Sequence, residues 1–328
     1  MKNFLAQTCC LLLSLLVLPA WAGDYTGRDD VAVFAQRFAA ENGKDAQQVL
    51  ALLHKGQQKQ SILDAIARPA EKVLTWGEYR QIFIEPKRLE KGVDFWREHR
   101  ALLAQISREY QVPEEIIIAI VGIETRYGKV AGNYRVLDAL MTLGFDYPPR
   151  GEFFRKQLAQ FLLMTDEQGL DATTLKGSYA GAMGYGQFIP GSYRSYAVDY
   201  DKDGVADIWG NPADALASVA NYFSRHHWHY GEMIALQIPG PVTDKSLISD
   251  SLKPQTRVAE LRKAGVQVPS QLADDALVTL MELETANGME YWLGFENFYV
   301  ITRYNHSHMY ALVATELSEL LKAHLDMP

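Results

Sequence analysis

The stretch AIVGIETRYG, residues 119–128, sets a carboxylate, Glu124, directly after an apolar run from Ile116 to Ile123. On a helix, Ile117, Ile120 and Glu124 share one face by the i, i+3, i+4 rule, so the carboxylate continues the apolar stripe. Loss of hydration at such a position favours the protonated acid. A protonated carboxyl with an apolar surround suits a general acid that protonates a glycosidic oxygen. Spacing alone leans to a plainer role, because charged residues often end apolar stripes. In that role Glu124 swings to solvent or pairs with Arg126 or Lys129.

A second chemical feature is KGSYAGAMGYGQFIPGSY, residues 176–193, where Gly177, Gly181, Gly184, Gly186 and Gly191 alternate with hydrogen-bonding side chains. It carries neither G-x-x-x-x-G-K-[ST] nor G-x-S-x-G, so a phosphate cradle and a serine-hydrolase elbow are unsupported, and no organic cofactor is expected. A backbone so open lets a polymer approach closely, with Ser178, Tyr185 and Gln187 as directed hydrogen-bonders. An ordinary long loop is the alternative.

The third is DYDKDGVADIWG. Asp199, Asp201 and Asp203 occupy positions 1, 3 and 5 of an EF-hand loop, Gly204 is at 6, the Val205 carbonyl falls at 7 and Asp207 at 9. Gly210 stands where the bidentate Glu of position 12 belongs, and Asp214 is placed to close a longer loop. The pattern reads as a structural Ca2+ site; an Asp-rich surface turn is the alternative. The histidines of RHHWH (225–229) and HSH (306–308) lack the spacing of a zinc site.

The elements that must position these residues read as mainly helical. Ala32–Phe38 has helical spacing, with breaks at Asn42-Gly43 and Arg68-Pro69. A longer amphipathic segment places Phe95, Trp96, Leu102, Leu103, Ile106 and Tyr110 on one side. Pro113 opens the next helix as its first residue, with Glu114 and Glu115 at the positive end of the dipole. Phe153–Met164 is amphipathic, the glycine loop leads into a short helix, and a helix follows from about Ala213 to Arg225. After residue 232 the pattern changes. Thr256–Ala264 reads as one short helix, Ala276–Leu283 alternates as a strand, and Ala286-Asn287-Gly288 is a turn. Helical signal returns at Tyr304–His324. The expected division is 1–22 leader, 23–111 helical, 112–232 core with the Asp loop, 233–297 a small α+β insert and 298–328 a return to the core.

The 328 residues are 48% hydrophobic and 22% charged, with 17 Tyr and a net charge of −8, which does not favour a nucleic-acid partner. MKNFLAQTCCLLLSLLVLPAWAGD has the basic, apolar and Ala-x-Ala regions of a secretory signal peptide cleaved after Ala22. Its apolar stretch is short of the ~20 residues that span a bilayer. Both cysteines, Cys9 and Cys10, lie in it, and Gln7-Thr8 makes a poor lipobox. An exported, periplasmic and soluble protein without disulfides or a stable membrane span is expected.

In order, GIETRYG, LDALMTLGFDYP, KGSYAGAMGYGQFIPGSY, the Asp loop, SVANYF and FYVITRYNHSHMYALV resemble the lytic murein transglycosylase B family of bacterial cell-wall enzymes. The resemblance covers nearly the whole mature chain. It implies a lysozyme-like helical catalytic core with a helical N-terminal domain and a small inserted domain with strands, with Glu124 as the single acid/base. It further implies that Ser178 and Gln187 line the cleft, and that Tyr222, Tyr304, Asn305 and Tyr310 surround the sugar subsites, Tyr304 and Tyr310 packing on sugar faces. Asp199, Asp201, Asp203, Val205, Asp207 and Asp214 fall on the family's calcium site. Relatives tend to carry paired Arg where Pro149-Arg150 stands here, so Arg150 makes a weaker contact to the peptide stem; some relatives are lipoproteins, and this chain lacks a usable lipobox. The expected partner is peptidoglycan, in the company of penicillin-binding and other wall proteins, none of which the sequence singles out. The expected activity cleaves the MurNAc-β-1,4-GlcNAc bond with formation of 1,6-anhydro-MurNAc ends. The rivals are a hydrolysing muramidase, which needs a second carboxylate such as Asp138 or Asp146, and a non-catalytic peptidoglycan-binding protein.

Overall fold

The computed structural model describes residues 25–67 and 74–325; the expected leader and the Arg68-Pro69 break lie outside them. Helices α1 (Asp29–Asn42), α2 (Ala46–Leu53) and α3 (Gln60–Ile66) come first, then α4 (Trp76–Phe83), α5 (Pro86–Glu98) and α6 (Arg100–Tyr110). Gly43 ends α1 in the left-handed region, as the Asn-Gly pair requires. The single amphipathic segment expected around Phe95 and Ile106 is two helices, broken at His99.

Next is α7 (Glu114–Thr125). Pro113 sits one residue outside it as the N-cap rather than as its first residue. Every residue from Ile116 to Ile123 is buried, so the helix is apolar around its whole circumference instead of along one stripe. It is the central helix, packed by elements before and after it in sequence, α5 and α6 among them.

A two-residue strand β1 (Tyr134–Arg135) leads into α8 (Val136–Phe145), which packs on α9 (Gly151–Glu167). Strand β2 (Lys176–Gly177) pairs antiparallel with β1 and opens the glycine-rich loop, which ends in α10 (Pro190–Tyr196). Asn211 caps α11 (Pro212–Arg225) through its side chain, which accepts from the Ala213 amide.

The stretch after residue 232 forms a four-stranded antiparallel sheet ordered β3-β6-β5-β4, from β3 (Ala235–Ile238), β4 (Thr256–Arg257), β5 (Leu277–Thr285) and β6 (Gly288–Gly294). The expected helix at Thr256 begins as β4 and turns helical only at α12 (Val258–Lys263). Period-two alternation divides the sheet's faces. Val278, Leu280, Tyr291 and Leu293 join Val258 and Leu261 in a small core of their own, while Met281 and Trp292 pack into the main one. Helices α13 (Glu296–Tyr304) and α14 (His308–Leu325) return the chain to the main core, where α14 lies along α7. Tyr304 therefore ends one helix instead of starting the last. The Ser307 amide bonds to the Asn305 carbonyl and the Ser307 hydroxyl accepts from the Tyr310 amide, which makes the break.

Candidate active site

Glu124 lies in the last turn of α7, half-buried where its neighbours are fully buried. The helix stops immediately beyond it because Arg126, Tyr127 and Gly128 all take positive φ, of 51°, 60° and 78°. Thr125 holds this sharp turn. Its hydroxyl donates to the carbonyls of Val121 (3.2 Å) and Tyr185 (3.0 Å) and accepts from the Gly128 amide (2.9 Å). Helix α7 and the glycine-rich loop are thus fastened together beside Glu124.

From α14, the Tyr310 hydroxyl donates to Glu124 Oε1 at 2.5 Å. Tyr310 is 2% exposed. Burial first, and the neighbouring Glu124 charge second, raise its phenol well above the ordinary range, so it remains a donor at every physiological pH. The expectation that Tyr310 packs against a sugar face does not fit this burial; its ring is enclosed and its hydroxyl serves Glu124. Tyr304 is raised by the same two causes, and its hydroxyl donates to the Gly186 carbonyl.

Tyr304 also lines a cavity of about 600 Å3 that gathers Arg150, Gln187, Tyr222 and Asn305 of the expected residues. Tyr222 meets Tyr304 edge to face at 4.7 Å and stacks on His226 at 4.0 Å, while its hydroxyl holds the Arg303 carbonyl at 2.5 Å. Gln187, at φ 50°, donates to the carbonyls of Ala131 (3.2 Å) and Gly184 (3.0 Å), which ties the loop to the turn after Glu124. The exposed Arg150 guanidinium sits over Phe153 at 4.5 Å and Phe154 at 5.2 Å, forming one rim.

Neither Glu124 nor Tyr310 is among the walls of that cavity, and Ser178 and Tyr185 also lie off it. The Ser178 hydroxyl accepts from the Ala180 and Ala182 amides and closes the turn. The Tyr185 ring rests on Gly128, where an added Cβ would meet it at 2.4 Å. Sequence reasoning missed Phe153, Phe154, Phe188 and Arg303 as walls, and Thr125 and Gly186 as supports. The adjacent Phe153-Phe154 pair after Arg150, and a hydroxyl next to Glu124 on a buried run, were the available signals. A second cavity of about 470 Å3, between α1–α2 and the end of α9, contains none of the expected residues.

The two carboxylates a hydrolytic mechanism could have drawn on are committed elsewhere. Asp138 is buried against Arg135 (2.7 Å) and accepts the Gln57 amide (2.8 Å). Asp146 binds Arg28 (2.5 Å) and the Tyr25 hydroxyl (2.7 Å). Both lash the N-terminal segment to α8.

In the Asp loop, one oxygen or more from each of Asp199, Asp201 and Asp203 come within 4.8 Å of one another, a donor set fitting a hard cation. Gly204 turns the loop at φ 103°. Asp207 turns its carboxylate to the Trp209 and Gly210 amides, and the fully buried Asp214 accepts from Tyr200 and Asp207 amides. Burial raises the Asp214 carboxyl, and those amides oppose the rise. Among the described residues no helix is long and apolar enough to cross a membrane.

The chain belongs to the transglycosylase SLT domain family, whose profile matches residues 26–319. It is 38% identical over 306 residues, 90% of this chain and 84% of the relative, to the membrane-bound lytic murein transglycosylase B of Escherichia coli K12. Among solved structures it is similar to the lytic transglycosylase SltB1 of Pseudomonas aeruginosa, with a TM-score of 0.87 and 47% identity over 92% of this chain and 100% of that one. It is also similar to the Escherichia coli lytic transglycosylase Slt35 in complex with calcium, with a TM-score of 0.84 and 37% identity over 93% of this chain and 96% of that one.

Proposed function

We propose that this protein is a lytic murein transglycosylase that cleaves the MurNAc-β-1,4-GlcNAc bond of peptidoglycan and leaves 1,6-anhydro-MurNAc ends. The observation that carries the reading is the Tyr310–Glu124 hydrogen bond at the end of a wholly apolar helix, with Tyr304, whose phenol is raised by burial and then by the Glu124 charge, in the wall of a cavity. In this reading Glu124 begins as the acid, with Oε1 taken by the Tyr310 hydroxyl and the transferable proton on Oε2. Glu124 gives that proton to the glycosidic oxygen, and the GlcNAc hydroxyl leaves. Positive charge at the muramic anomeric carbon is stabilised by the substrate's own acetamido oxygen, which Asn305 and the backbone near Ser178 orient. The ionised Glu124 then takes the proton of the same sugar's C6 hydroxyl as its oxygen bonds to the anomeric carbon. No water is consumed, and Glu124 returns protonated. Proximity favours the ring closure because the attacking hydroxyl is already on the reacting sugar. The commitment of Asp138 and Asp146 to structural pairs supports a single-carboxylate route over the two-carboxylate hydrolytic one.

Tyr304 offers an apolar face to the glycan with Tyr222 backing it edge to face, Gln187 fixes the loop wall, and Arg150 meets the peptide stem at the rim. Tyr185 braces the turn behind Glu124. In the Asp loop, Asp199, Asp201 and Asp203 hold Ca2+, with the Val205 carbonyl, Asp207 and Asp214 completing and supporting the loop. The metal's part is structural, fixing the loop before α11. Residues 1–22 direct export to the periplasm, 23–111 form a helical domain, and 233–297 is an insert on a catalytic core made of 112–232 and 298–328.

Product analysis of digested sacculi tests the acid/base assignment. The wild type should release anhydro-muropeptides one water lighter than hydrolysed ones. Glu124→Gln should lose about 10²- to 10⁴-fold in rate, the usual contribution of general acid–base catalysis. Undiminished release by Glu124→Gln would sink the assignment.

A further inference from the structure

Helix α5 begins at its N-cap Glu85, the one acidic group at an otherwise cationic start. Its first turn contains no acidic residue, and Lys87, Arg88 and Lys91 crowd the positive end. Arg126, the left-handed residue that ends α7, adds a fourth cation to a cleft of about 270 Å3 lined otherwise by Glu85 and Tyr127. Four cations face one carboxylate there, in a chain of net charge −8. Lys87, Lys91 and Arg126 form no ion pair among the described residues.

Arg88 is the unusual member. It is 4% exposed, and donates to the carbonyls of Gly122 (3.0 Å) and Ile82 (3.1 Å). Glu85 stands 3.8 Å from its Nη2. Its buried Nε reaches no acceptor among the described residues. Burial, and then repulsion from Arg126, lower its pKa from the ordinary arginine value. A buried donor without an acceptor is costly, and two guanidiniums held close repel unless an anion lies between them.

We propose that this cleft binds a compact oxyanion, a carboxylate or a phosphate, held by Arg88 Nε and the cations of Lys87, Lys91 and Arg126. The cleft shares no lining residue with the cavity walled by Tyr222 and Tyr304. Two sources offer the chemistry: inorganic phosphate, and the free carboxylates of a wall peptide stem. The second source rests on the murein reading of the active site. Because Arg88 also holds the Gly122 carbonyl, the bound anion would brace α7 two residues before Glu124.

Calorimetric titration of the intact protein tests this with inorganic phosphate, with a stem peptide bearing free carboxylates and with the same peptide amidated. Saturable binding of phosphate or of the free peptide is expected in the wild type and, equally, in Glu124→Gln. Lys91→Ala and Arg126→Ala change exposed side chains, and each should weaken binding about tenfold, the scale of one charge-assisted hydrogen bond. Phosphate binding alone assigns the free ion as the source. Binding of the free peptide with silence from its amide assigns the wall carboxylate, and binding of both assigns the shared chemistry. Absence of binding by both, or undiminished binding in both alanine variants, overturns the site. Neither result depends on turnover, so the site and the transglycosylase reading fail separately.

Discussion

At the scale of single residues, Glu124 is defined by the hydroxyl that meets it. Removing that hydroxyl in Tyr310→Phe keeps the buried ring and deletes only the donor to Oε1. A hydrogen bond to a charged group contributes about 1.5–3 kcal/mol, so turnover on sacculi should fall by roughly ten- to a hundredfold. The far-ultraviolet circular dichroism should stay unchanged. Full activity in Tyr310→Phe would mean that the contact has no part in the chemistry. Glu124 itself was legible in the sequence as a charge in an apolar run, and the family resemblance supplied Tyr310. What hydropathy could not supply was the direction of the Tyr310 hydroxyl, since that depends on a helix 186 positions further along.

At the scale of elements, α7 is held in place by a tyrosine wedge. Tyr127, 4% exposed, fills the space over Gly122 of α7 and Gly92 of α5. Glycine to alanine inside a helix normally stabilises by about 0.5–1 kcal/mol. In Gly122→Ala the new Cβ would instead meet Tyr127 ring atoms at 2.7 Å, and overpacking of this kind costs about 1–3 kcal/mol. The variant should therefore melt below the wild type, and a rise in its melting temperature would contradict the packing. The helices α1, α9 and α11, strand β5 and the turn after it were readable from periodicity and turn residues; the returning strand β6 was not. The breaks at His99 and at Asn305–Ser307 were not. The second rests on a Ser307 hydroxyl meeting the Tyr310 amide, and hydrogen bonds of that kind leave no trace in apolar spacing. The all-round burial of α7 was hidden for a different reason: a continuous apolar run shows no preferred face until its neighbours are known.

At the scale of the whole molecule, the Asp loop is the place where solution conditions should act on stability. A ligand that binds only the folded state stabilises by about 2.7 kcal/mol when present at a hundred times its dissociation constant. Calcium should raise the thermal midpoint and a chelator should lower it. Asp201→Ala, which removes one of the three converging carboxylates, should erase the difference. A midpoint indifferent to both additions would leave the loop as an acidic turn held by its own amides.

The Tyr310–Glu124 bond has a further consequence, in time rather than in space. The two partners are made 186 residues apart, and the whole four-stranded sheet is synthesised between them. A chain that ends before α14 carries the carboxylate without its donor and leaves one side of α7 uncovered. Contacts of such long range close late in folding. If Glu124 and Tyr310 act together as proposed, their pair is completed last, and a chain truncated before α14 should turn over sacculi far more slowly than the full chain.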